Sequence, residues 1–93
     1  MNTYRDLTLM KLEALMKHVE YENTEQLKKW GIQTVSAFEW LAYLTEEVGE
    51  LAEAISEYEY RDGSTCAIFR EAIQVATLAL KIAEIFFCEC EEV

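Results

Sequence analysis

Apolar residues recur along most of this 93-residue chain at spacings of three and four, the period of one face of an α-helix. Leu9, Leu12, Met16 and Val19 predict a first helix over about Tyr4 to Tyr21, with Thr3 as its N-cap. Asn23 or Thr24 can cap a short second helix that closes at Lys28-Lys29-Trp30-Gly31, where Gly31 supplies the left-handed residue that ends many helices. A third helix is predicted over 37–61 because Ser36 and Glu39 form a capping box and Val35 and Trp40 occupy the positions of a hydrophobic staple. Phe38, Leu41, Leu44, Val48, Leu51, Ala52 and Ile55 share one sector of that helix and are its expected core face. Arg61-Asp62-Gly63-Ser64 reads as a turn, after which Ser64 or Thr65 caps a fourth helix reaching about Cys88. This last helix is apolar around most of its circumference, from Ile68 to Phe87, so it needs burial on several sides.

Composition agrees with the pattern. Hydrophobic residues make up 52% of the chain, proline is absent and there are three glycines, which favours uninterrupted helices over strands and turns. The expected fold is a single all-α domain over 1–93, an antiparallel helical bundle. A chain of this size buries a modest fraction of its surface, so the core is expected to be completed by oligomerisation, with the fourth helix as candidate dimer core.

The formal charge of −10 argues against a partner that is a nucleic-acid polymer, since such binding rests on basic residues neutralising phosphates. It leaves open the binding of one nucleotide through a cation. The N-terminus has no signal-peptide pattern and no apolar run reaches the roughly 18 residues of a membrane span, so a cytoplasmic protein with no membrane partner is expected. Cys66, Cys88 and Cys90 lack the spacing of a zinc site; Cys66 and Cys88 are read as small buried fillers, and the lone His18 as a structural residue.

Charge distribution carries the chemical signal. No basic residue falls between Lys29 and Arg61, while Glu46, Glu47, Glu50, Glu53, Glu57 and Glu59 lie within fourteen positions of one helix. Like charges at i,i+4 destabilise a helix by roughly 0.2–0.5 kcal/mol per pair, and an external cation is the simplest compensation. Charge content alone is also what a solvated helix face would show. Glu71, Gln74 and Lys81 weigh against that, because they interrupt an otherwise apolar helix as one polar stripe. Glu47 and Glu50 stand about 60° apart on one flank of the third helix, shared with Tyr43, with Glu46 beyond. Antiparallel pairing about Asp62-Gly63 brings this flank toward Glu71 and Gln74, with a register mismatch of roughly 6 Å for tilt to absorb. Carboxylate ligands without cysteine or histidine select hard cations such as Mg²⁺ or Mn²⁺.

The run Trp40-Leu-Ala-Tyr-Leu-Thr-Glu46-Glu47-Val-Gly-Glu50-Leu-Ala-Glu-Ala, followed by Arg70-Glu71-Ala-Ile-Gln74-Val-Ala, resembles the MazG-like all-α nucleotide pyrophosphohydrolases, whose pattern is EExxE and then ExxD. The resemblance covers residues 28 to 84. It implies an enzyme, a Mg²⁺-dependent hydrolase of NTP or dNTP giving NMP or dNMP and pyrophosphate in nucleotide-pool housekeeping, with Mn²⁺ as a possible substitute and a homodimer or homotetramer as the assembly. It implies Glu47, Glu50, Glu71 and Gln74 as metal ligands, and Glu46 with Glu47 as catalytic acids. Lys28, Trp30, Gln33, Tyr43 and Lys81 are the implied substrate-binding residues: Trp30 to stack a base, Gln33 to meet its edge, Lys81 to meet phosphate oxygens. Trp30 can equally be a core residue, Trp40 at its staple position is read as core, and Gly49 can admit a close neighbour or simply be tolerated. The chain departs from the pattern at Gln74, where the family has aspartate; a neutral ligand lowers metal affinity and weakens catalysis. Two alternatives follow, a catalytically degenerate nucleotide-binding or protein-interaction module of the same fold, and an acidic mimic of nucleic acid for a basic partner.

Overall fold

Three helices account for the structure, a computed structural model that describes residues 11–87: α1 at Leu12–Trp30, α2 at Ala37–Tyr60 and α3 at Thr65–Ile85. No strand occurs among the described residues. The all-α expectation holds, with one correction to the element count: the two helices expected before residue 31 are a single helix. Thr24 does not cap anything, because its hydroxyl donates to the Glu20 carbonyl at 3.0 Å and so folds back onto the preceding turn. Glu22 and Gln26 are joined by a side-chain hydrogen bond across the expected break, and no glycine or proline between 12 and 30 stops propagation. The expected cap at Thr3 and the apolar Leu9 lie outside the described residues, as do Cys88 and Cys90.

The boundaries of α1 and α2 follow from local chemistry. α1 ends at Gly31, whose φ of 69° is the left-handed region open to glycine. At the start of α2, Ser36 Oγ accepts from the Glu39 amide at 3.2 Å and Glu39 Oε1 accepts from the Ser36 amide at 3.1 Å, the reciprocal capping box expected there. The turn after α2 needs Gly63 for space: a Cβ there would lie 2.8 Å from the Glu57 backbone carbon. Ser64 then caps α3 by accepting from the Ala67 amide at 3.0 Å.

α3 is the central helix. α2 folds back along it, α1 also packs on it, and α1 and α2 make no close backbone approach to each other. The pairs His18–Phe69 and Gln26–Lys81 advance in the same direction along both chains, so α1 runs parallel to α3 and the order is up, down, up. His18 is the structural residue it was expected to be among these, with its ring edge-on to Phe69 at 5.0 Å. Trp40 and Leu78 are the buried apolar residues, and the radius of gyration of 14.9 Å exceeds the roughly 12 Å of a compact chain this long.

The expected core face of α2 is only partly used within the chain. Leu44 and Leu51 are half-buried against α3, whereas Phe38 (85% exposed), Leu41, Val48, Ala52 and Ile55 face outward. The flank that packs on α3 is instead the one carrying Tyr43, Glu47 and Ala54. One helix cannot bury two stripes against one neighbour, so the stripe at 41, 48 and 55 has no cover among the described residues. Cys66 is exposed on the first turn of α3 and is not a buried filler: the half-buried positions there are Ala67 and Ile68, on other sides of the helix. No helix of the described residues is long and apolar enough to cross a membrane.

Candidate functional site

The rotation of α2 that leaves its apolar stripe outside turns its acidic flank inward. Carboxylate oxygens of Glu47, Glu50 and Glu71 all lie within 4.8 Å of one another, so the register gap anticipated between the two helices closes. Glu47 and Glu71 are half-buried and Glu50 is exposed. The electrostatic cost falls on Glu47, whose carboxyl is raised from 4.5 to about 7, first by burial and then by the charges of Glu50, Glu71 and Glu46. Burial, and then the Glu50 charge, also raise Glu71 above the ordinary carboxylate range. Three acids held together against their repulsion form a donor set suited to a hard cation.

Gln74 joins this cluster in an unexpected sense. With its amide oriented by the surrounding acceptors, the nitrogen donates to Glu47 Oε2 at 3.0 Å and to Glu71 Oε2 at 3.1 Å. In this arrangement it is a donor: a neutral N–H₂ group spans two carboxylates, which an aspartate could not do while ionised.

Beside the acids, a cavity of about 330 Å³ is lined by Gln26, Trp30, Gln33, Tyr43, Glu46, Glu47, Leu78 and Lys81. Six of these, Trp30, Gln33, Tyr43, Glu46, Glu47 and Lys81, are residues singled out in the sequence. A second hollow of about 360 Å³ shares Gln26, Trp30, Glu46 and Glu47 with it and adds Glu22, Glu25, Lys29, Glu50 and Gln74. Both sit where α1 and α2 diverge over α3. Trp30 is 48% exposed at this mouth, and Lys29 Nζ lies 4.9 Å from its ring centroid, covering one face. Trp40, by contrast, is core, and braces Tyr43 edge-on at 6.0 Å.

Lys28 is not brought to the cavity. It lies exposed on α1, with Nζ 3.1 Å from Glu25 Oε2 in an ion pair that lacks hydrogen-bond alignment. Gly49 has no neighbour beyond its own helix backbone, among the described residues, within 4 Å of where a Cβ would stand. Two residues that the sequence did not single out take part instead. Gln26 is 5% exposed; its Nε2 donates to Glu22 Oε2 at 2.9 Å, and its Oε1 accepts from Lys81 Nζ at 2.6 Å. The signal available was the i,i+4 spacing of Glu22, Gln26 and Trp30, which places them on one face once α1 is continuous. No family model, curated protein or solved structure matches this chain. What the residues can do rests on their own geometry and chemistry.

Proposed function

We propose that this chain is a Mg²⁺-dependent nucleoside triphosphate pyrophosphohydrolase of the MazG-like kind, acting on NTP or dNTP to give NMP or dNMP and pyrophosphate. The observation that carries the reading is the meeting of three carboxylates from two helices at the edge of a cavity that also holds an aromatic ring, an amide and an ammonium group. Oxygen donors under mutual repulsion fit Mg²⁺, with Mn²⁺ as its substitute; Glu47, Glu50 and Glu71 would hold it. A bound divalent cation supplies stabilisation of the charge that develops on the phosphate oxygens.

The chain's own residues divide the remaining work. The open face of Trp30 receives the base and Gln33 hydrogen-bonds its edge, with Tyr43 lining the same cavity. Lys81, which lines the cavity, meets phosphate oxygens. Glu46, exposed at the rim beside Glu47, orients a water for in-line attack on the α-phosphorus. The bond formed is from the water oxygen to that phosphorus, the α–β anhydride bond breaks, and pyrophosphate leaves. The outward stripe of Leu41, Val48 and Ile55 is the surface on which a second copy would complete a homodimer or homotetramer.

One observation favours a second reading. The Gln74 amide already donates to Glu47 and Glu71, so part of the cluster's hydrogen-bonding capacity is met without any cation. That suits a catalytically degenerate module that binds nucleotide and does not turn it over. Pyrophosphate release across a panel of nucleotides with Mg²⁺ or Mn²⁺ separates the two. Turnover by the wild type supports the enzyme. Nucleotide binding without turnover, with activity appearing in Gln74→Asp, supports the degenerate module.

A further inference from the structure

Gln26 is buried where α1 meets α3, and both ends of its amide are committed. Turning the amide over would set its N–H₂ against the Lys81 ammonium and its oxygen against the Glu22 carboxylate, so the Glu22–Gln26–Lys81 chain has one orientation. Among the described residues Lys81 forms no ion pair, although the protein has 18 acids for 8 bases. Its hydrogen bond among these residues is to a neutral carbonyl oxygen, that of Gln26. Burial lowers its pKa, and the nearby Glu22 charge counteracts this in part. An ammonium has three protons; one is given to Gln26 and two are left for the cavity that Lys81 lines. A carboxylate in place of Gln26 would tie α1 to α3 equally well and would cancel the charge. The neutral amide ties the helices and leaves the charge free.

We propose that Gln26, backed by Glu22, is a positioning residue that holds the Lys81 ammonium un-neutralised toward the cavity so that it receives a phosphate group of the ligand. The identity of that ligand rests on the nucleotide reading above; the anion-binding role of the triad does not.

The test uses the full chain and two probes, pyrophosphate with saturating Mg²⁺ and Mn²⁺ alone, each titrated by calorimetry. Gln26→Leu is expected to weaken pyrophosphate binding about tenfold, the scale of one charge-assisted hydrogen bond, and to leave Mn²⁺ affinity within about twofold. Lys81→Met is expected to lose at least as much, and the double variant no more than Lys81→Met, because Gln26 acts through Lys81. Where turnover is measurable, Gln26→Leu raises KM and leaves kcat nearly unchanged. The ¹⁵N resonance of the Lys81 ammonium shifts on adding pyrophosphate to the wild type. If Gln26→Leu does not fold, Glu22→Gln, which keeps the amide contact and removes its charge, is expected to weaken pyrophosphate binding about threefold. Wild-type affinity in the folded Gln26 and Glu22 variants, additive losses in the double variant, or a Lys81 resonance unmoved by pyrophosphate would overturn the proposal. Wild type that binds Mn²⁺ but no pyrophosphate sinks it while sparing the metal site. Gln26-dependent pyrophosphate binding with no hydrolysis of any nucleotide supports it and removes the enzymatic reading instead.

Discussion

Replacing Glu47 by glutamine deletes the most crowded charge of the acidic cluster while keeping an oxygen to accept from Gln74. The folded protein holds the Glu47 proton until about pH 7, whereas the unfolded chain releases it near 4.5. The folded state therefore binds more protons between those values, and stability falls as pH rises through that window. A displacement of this size corresponds to at most about 3 kcal/mol, and water reaching the half-exposed rim reduces it to roughly 1–2 kcal/mol. Glu47→Gln should be as stable as the wild type near pH 4.5 and more stable by that amount at pH 8, in EDTA, by urea or thermal denaturation. Divalent cation reverses the order. At 100 times its Kd a ligand of the native state adds about 2.7 kcal/mol, so Mn²⁺ should stabilise the wild type strongly and the variant hardly at all. If Glu47→Gln gains nothing at pH 8 without metal, or gains as much from Mn²⁺ as the wild type does, the account of this cluster is wrong.

Gln74→Asp should act in the opposite direction: the bridging donor is lost and a fourth charge added, so metal-free stability at pH 8 falls by about 1–3 kcal/mol while Mn²⁺ affinity rises, both readable in the same melts. Ser36→Ala removes one half of the capping box and should cost about 1 kcal/mol by thermal denaturation, with site affinity for Mn²⁺ unchanged. Gly63→Ala places a methyl group 2.8 Å from the Glu57 backbone and should cost about 1–3 kcal/mol; a neutral result would mean that the turn relaxes freely. Val48→Glu, on the outward stripe of α2, should leave helicity by circular dichroism intact and shift sedimentation toward a monomer, and an unchanged sedimentation coefficient would reject that stripe as an interface.

Local rules sufficed for much of this protein. The Ser36–Glu39 box, Gly31 beyond α1, the turn at Gly63 and the cap at Ser64 are each set by a few neighbouring residues, and each stands where the sequence places it. The acids of the cluster were legible for a related reason: helical period alone puts Glu47 and Glu50 on one flank, and Glu71 with Gln74 on another. The break expected at Asn23 failed because capping residues only permit a helix start, and a continuous ladder with a Glu22–Gln26 bond across it is lower in free energy. Tertiary structure decided the rest. Which stripe of α2 meets α3 could not be read from apolarity, since α2 carries more apolar surface than one neighbour can cover, and the choice turns on fitting both helices at once. The same choice drew Glu47, Glu50 and Glu71 together, gave Gln74 two carboxylates to bridge and brought Lys81 to Gln26, a contact between residues 55 positions apart. Sequence pattern specifies what each helix can present; only packing specifies to whom, because hydrogen bonds and charge repulsion act over a few ångströms between groups that the chain itself holds far apart.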